Sequence, residues 1–225
     1  MFARNDKMAK AFTKIGREIA IAVKSGGPDT DNNSRLRTAV MNAKGLNMPK
    51  DRIDNAIKKA SAKDEGNFEE AIYEGYGPHG VAIVVETATD NPTRTVANIR
   101  MYFNRGNGTL GKTGSLDFLF QRKGVFRITN DGKVNTDELE LELIDFGLES
   151  LEVDDEEIIV YTLFEDFGKM SKALEEKGIA ITKSALERLP VTTVELNEEQ
   201  QDEILHLIDK FEEDDDVQAV YHNLQ

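Results

Sequence analysis

Residues 73–120 read YEGYGPHGVAIVVETATDNPTRTVANIRMYFNRGNGTLGKTGSLDFLF, and the rest of the chain is arranged around them. A glycine-rich turn, Gly77-Pro78-His79-Gly80, leads into Val81–Thr87, whose VAIVV core is too continuously apolar for a sheet edge and predicts a central strand. Ala71–Tyr76 predicts its short partner. Asn91 then Pro92 is a helix start, because asparagine caps and proline fits the first turn. Val96, Ile99 and Phe103 predict the inner face of that helix. Leu116, Phe118 and Phe120 alternate with polar or smaller residues, which predicts a half-buried strand.

Between helix and strand, Gly106–Thr113 reads GNGTLGKT and matches the phosphate-loop pattern G-x-x-x-x-G-K-[ST]. That chemistry needs strand, loop, helix in that order, so that a helix N-terminus faces the phosphates. Here the order is helix, loop, strand. The glycines fit a turn that needs positive φ, and a nucleotide-binding enzyme built on Gly106–Thr113 is only a minor alternative.

Downstream, Gly124–Leu189 contains a complete βαββαβ series, the ferredoxin-like arrangement. Its strands are Val125–Ile128, Leu148–Val153, Ile158–Phe164 and one within Ile179–Leu189. Its helices are 135–146, opened by Asn135 with Glu138, and Phe167–Lys177. Val191–Leu196, a helix capped by Asn197 and Gln200, and Val217–His222 then supply the pieces that the central stretch lacks. The expected fold is α+β and multidomain: a three-helix bundle, then two ferredoxin-like α/β domains, the second inserted in the first. The expected boundaries are 1–66, 67–123 plus 191–225, and 124–190.

Upstream the chain is helical and basic. Met8, Phe12, Ile15, Ile19 and Val23 share one helical face, while Lys7, Lys10, Lys14, Arg17 and Lys24 fall on the opposite one. Asn32–Gly45 predicts a second helix carrying Arg35, Arg37 and Lys44. A third starts at Pro49 and carries Lys50, Arg52, Lys58 and Lys59. The whole chain has net charge −14, but residues 1–63 hold 14 basic against 6 acidic residues, residues 64–127 hold 7 against 8, and residues 128–225 hold 7 against 28. Such asymmetry predicts that the head approaches a polyanion. Arg94, Arg100, Arg105 and Lys112 extend the candidate nucleic-acid surface.

Other chemistries find little support. The chain has no cysteine, which removes disulfides and thiolate sites and is compatible with the cytoplasm. His79, His206 and His222 lack ligand spacing, and the acidic runs at 154–157 and 214–216 lack the calcium-loop pattern. No serine sits in a nucleophile elbow. No metal, cofactor or catalytic residue is expected, nor a membrane partner.

The central stretch, with FTKIGREIAIAVKSGGPDTDNNSRLRTAVMNAKGLNMPKDRIDNAIKKA before it, closely resembles the YebC/PmpR family, which includes the mitochondrial translational activator of cytochrome oxidase. The family's opening basic segment, of the type GHSKWANIKHRK, is replaced here by MFARNDKMAKAF. The resemblance implies the three-domain plan above and a non-enzymatic, nucleic-acid-binding regulator of gene expression. It implies a DNA-binding transcriptional regulator or, alternatively, a translation factor on ribosomal RNA that relieves stalling at proline-rich sequences. No helix-turn-helix reader is evident in the sequence.

Overall fold

The structure is a computed structural model. It describes the backbone of residues 2–62 and 67–225 and the side chains of residues 8–62 and 67–225. The expected linker at 61–67 therefore lies mostly outside the described residues, as does the Lys7 side chain. Three helices open the chain: α1 (Phe2–Gly26), α2 (Ser34–Gly45) and α3 (Lys50–Ala60). Asn33 caps α2 by accepting the Leu36 N–H at 3.0 Å, and its amide donates to the carbonyls of Ala22 and Gly27. Buried Asn33 thus ties the end of one helix to the start of the next.

The remaining elements are β1 (Glu69–Tyr76), β2 (Ala82–Thr89), α4 (Pro92–Arg105), β3 (Thr109–Leu110), β4 (Phe120–Thr129), α5 (Thr136–Leu143), β5 (Leu148–Val153), β6 (Glu157–Leu163), α6 (Phe167–Glu176), β7 (Ile181–Pro190), α7 (Glu198–Glu212) and β8 (Val217–His222). They build two four-stranded sheets, ordered β3-β1-β2-β8 and β5-β6-β4-β7. The protein is α+β, with an N-terminal helical region and two sheet-and-helix domains. Its residues group into two compact units. One comprises 1–21, 62–121 and 188–225; the other comprises 22–61 and 122–187.

In the first unit β2 is central, as its apolar run predicts. It pairs antiparallel with β1 (Tyr73 opposite Val85) and with β8 (Val85 opposite Val220). Ile83 and Val85 of β2 meet Ile99 and Phe103 of α4 and Ile204, Leu207, Ile208 and Phe211 of α7 in one buried cluster. The Phe103 and Phe211 rings lie 4.8 Å apart, close enough for aromatic attraction beyond burial alone. The buried stripe of α4 is Thr95, Ile99 and Phe103, with Val96 only half-buried. Asn197 and Gln200 close a full capping box at the start of α7.

Two expected strands are absent. Residues 117–119 form a 3-10 turn, which buries Leu116 and Phe120 but turns Phe118 outward at 72% exposure. The alternation read there as a strand is a turn because the backbone is held from below by Glu74, described next. Val191–Leu196 is an extended connection with a single bridge, Val194 to Leu224.

In the second unit the order β5-β6-β4-β7 follows from a βαββαβ chain whose first and third strands lie side by side. Here α5 and α6 cover one face through Leu139, Leu143, Met170 and Leu174 against Phe126, Ile128, Ile158 and Val160. The α2 helix belongs to this unit: Asn42 donates to the Ser184 carbonyl and accepts the Ser184 N–H, both at 2.8 Å, pairing with β7 as a strand would.

Candidate nucleic-acid interface

On the basic face of α1, Lys10, Lys14 and Arg17 lie against the acidic run at 212–216. Arg17 donates to the Asp216 carboxylate at 2.6 Å and to the Ala88 carbonyl at 2.7 Å, with its guanidinium 5.2 Å from the centre of the Phe68 ring. Lys10 donates to the Glu213 carbonyl at 3.3 Å. Burial lowers the Lys14 pKa, opposed by the carboxylates of Glu212, Asp215 and Asp214. A stripe that reads from the sequence as a solvent-facing cationic surface thus faces the acidic turn between α7 and β8.

Asp216 is the centre of this arrangement. It is 2% exposed. Besides Arg17, it accepts from Arg94 at 2.8 and 3.0 Å, from Thr95 at 2.7 Å and from Thr89 at 3.1 Å. Burial pushes its carboxyl upward, but the hydrogen bonds from Arg94, Arg17 and Thr95 prevail and hold it at about 2. Arg94 also pairs with Asp90. One turn away, Asp214 accepts from Asn98 and from the Tyr102 hydroxyl, both at 3.0 Å. Burial and that bond push the Tyr102 phenol up to about 12.

The cations of α2 and α3 are placed differently. Arg37 is tied to the Thr30 and Asp31 carbonyls, and Lys24, Arg35 and Arg52 also have partners. Lys44, Lys50, Lys58 and Lys59 are exposed, and among the described residues their side chains form no hydrogen bond or ion pair. The turn 46–49 joins α2 to α3, with Asn47 at φ 56°. Along α3, Arg52, Asn55 and Lys59 repeat at helical spacing on the exposed side, and Asp51 and Asp54 interrupt the charge. In the other unit Arg100, Arg105 and Lys112 are exposed; Arg100 and Lys112 have no such partner among the described residues.

The end of the GNGTLGKT loop and the residues just after it are tied to β1. Buried Glu74 accepts the Gly114 N–H at 2.8 Å and the Leu116 N–H at 2.7 Å. Gly111 N–H goes to the Glu74 carbonyl and the Thr113 hydroxyl to the Ile72 carbonyl. No α-helix opens from the loop; the 3-10 turn at 117–119 and then β4 come next, in keeping with the order read from the sequence. Gly108 is required for another reason: a Cβ there would lie 2.6 Å from the Tyr76 carbonyl oxygen.

Residues 1–63 match the N-terminal domain of the TACO1/YebC protein, and residues 68–224 match the TACO1/YebC second and third domains. The chain belongs to the TACO1/YebC family. A Cytophaga hutchinsonii relative, named "Probable transcriptional regulatory protein", is 61% identical over 98% of this chain and 92% of its own length. One from Flavobacterium johnsoniae with the same name is 53% identical over 97% and 92%. The crystal structure of a conserved hypothetical protein from Aquifex aeolicus superposes with a TM-score of 0.86 at 39% identity, over 96% of this chain and 90% of that one.

In this TACO1/YebC chain, the anchors that sequence reasoning missed are Asp216 and Glu74. Asp216 ends a run of acids, Glu212–Asp216, and nothing in that run marks one member as buried. Glu74 had a readable signal: an acid set directly among Ile72, Tyr73, Gly75 and Tyr76 on a predicted strand. A carboxylate placed there must find donors or lose its charge.

Proposed function

We propose that this TACO1/YebC chain is a non-enzymatic, DNA-binding regulator of transcription that contacts its polyanion through α2, α3 and the turn between them. The observation that carries this reading is the set of exposed lysine side chains at 44, 50, 58 and 59, without partners among the described residues, in a protein where Arg17 and Lys10 of α1 are already engaged. Lysines of this kind neutralise phosphates and release counterions. Two helices joined by a short turn also suit a groove, and Arg52 with Asn55 are the side-chain types that read guanine and adenine edges. The name shared by the Cytophaga and Flavobacterium relatives supports the same reading.

The test compares duplex DNA binding by fluorescence anisotropy with ribosome co-sedimentation, each across a salt series. The triple variant Lys50→Glu, Lys58→Glu, Lys59→Glu is expected to lose most duplex affinity while keeping the wild-type melting temperature. Co-sedimentation with ribosomes, abolished by the same variant and without duplex retention, would replace transcription with translation. Loss of neither would remove α3 from the interface.

A further inference from the structure

The Leu116–Phe120 turn presents a large aromatic ring to solvent from a backbone that cannot easily retract it. Phe118 is 72% exposed and has no ring contact among the described residues. On either side of it the chain is fixed. The carboxylate of Glu74 holds the Gly114 and Leu116 N–H groups. The Leu119 N–H donates to the Leu116 carbonyl, closing the turn at 2.9 Å, and the Leu119 carbonyl accepts the Val191 N–H, also at 2.9 Å. Beside Phe118 in the chain, the Asp117 carboxylate lies 3.8 Å from Arg188, which donates to Glu86 at 2.9 Å. Leu116 and Phe120 are buried against Ala82 and Val84 and anchor the turn to the sheet.

A simple exit from water was available to this ring, since a two-residue alternation continued through Leu116, Phe118 and Phe120 would have placed it with its neighbours. The turn instead buries two apolar residues and exposes the third. The same loop carries exposed Lys112, whose carbonyl accepts the Ser115 N–H at 3.1 Å. An exposed aromatic on a fixed turn matches a stacking platform for an unpaired nucleobase, and an exposed cation earlier in the same connection matches the charge of its backbone. Stacking on a preset ring immobilises little of the protein, and every base offers a π-face.

We propose that Phe118 stacks an unpaired base of a single-stranded nucleic acid, with Lys112 contacting its backbone. This rests on the nucleic-acid reading above but concerns a different element and a different form of the ligand, single strand rather than duplex.

The chain contains no tryptophan, so Phe118→Trp adds a lone fluorescent reporter at the site. The full-length variant is titrated with a short oligouridylate, an oligothymidylate, an abasic oligonucleotide of equal length and a hairpin duplex. Quenching is expected with both base-bearing single strands and not with the abasic one; the two sugars separate an RNA from a DNA preference. Phe118→Ala is expected to weaken single-strand affinity roughly tenfold, within the range of one lost stacking contact, and to leave duplex affinity and the melting curve unchanged. Equal affinity for abasic and base-bearing strands, or an unaffected Phe118→Ala, would overturn stacking and spare the duplex reading. If the wild type binds no single strand, the site is refuted, and if it binds no duplex either, the wider reading falls with it.

Discussion

Asp216 shows how much one side chain can organise. Two arginines and two threonines converge on a carboxylate that is nearly inaccessible to water. Removing its charge leaves Arg17, itself largely buried, without its ion pair. Asp216→Asn is therefore expected to lower unfolding free energy at neutral pH by about 3 kcal/mol, the scale for breaking a buried ion pair from one side. The pH dependence has a definite sign. The folded carboxyl sits at about 2, below its ordinary value of 3.8, so its contribution is complete above that ordinary value and is lost as pH falls through about 2. Urea titrations of wild type and variant should show a gap that is constant above about pH 5 and narrows below it. A gap that persists unchanged down to pH 2 would mean that shape rather than charge holds the site.

Among elements, α2 and its docking on β7 make the sharper case. Gly45 ends α2 so close to β7 that a Cβ would fall 1.9 Å from the Thr182 carbonyl oxygen and 2.8 Å from its carbonyl carbon. Both are backbone atoms, so no side chain can swing aside. Gly45→Ala must separate helix and strand and strain the Asn42–Ser184 pair a turn earlier. A loss of roughly 2–4 kcal/mol is expected in chemical denaturation, with faster amide exchange at Ser184. Full stability in Gly45→Ala would show that α2 does not bear on β7. Nothing in the local sequence announces this contact. Gly45 reads as an ordinary helix terminator, since the partner that demands it lies well over a hundred residues away. The elements that were legible carry local signals: β2 in its apolar run, α4 in Asn91-Pro92, α7 in its capping box, and the βαββαβ order in alternating periods. The strand expected at 116–120 failed for the converse reason. Its alternation was real, but the acceptor that turns the backbone, Glu74, belongs to another strand.

At the scale of the whole molecule, charge alone was a partial guide. The basic head and acidic tail are plain in the sequence, yet their uneven totals do not reveal which cations remain available. The structure divides them: Lys10, Lys14 and Arg17 face the acids at 212–216, whereas Lys50, Lys58 and Lys59 have no ion pair among the described residues. This division predicts two different responses to neutral substitutions. A cation that meets phosphate releases a counterion, and each lost contact reduces the slope of log K against log salt by about 0.9 on duplex DNA. Replacing Lys50, Lys58 and Lys59 with glutamine should therefore flatten that slope by up to about 2.7 and leave the melting temperature near wild type. Arg17→Gln should do the reverse, lowering the melting temperature while the slope holds, because its charge is already neutralised by Asp216. Anisotropy titrations at several salt concentrations, paired with thermal melts, read both quantities from the same samples. If Arg17→Gln flattens the slope as much as the triple substitution does, the acidic turn must yield its cations to the polyanion. The contact between α1 and residues 212–216 would then be an exchangeable one.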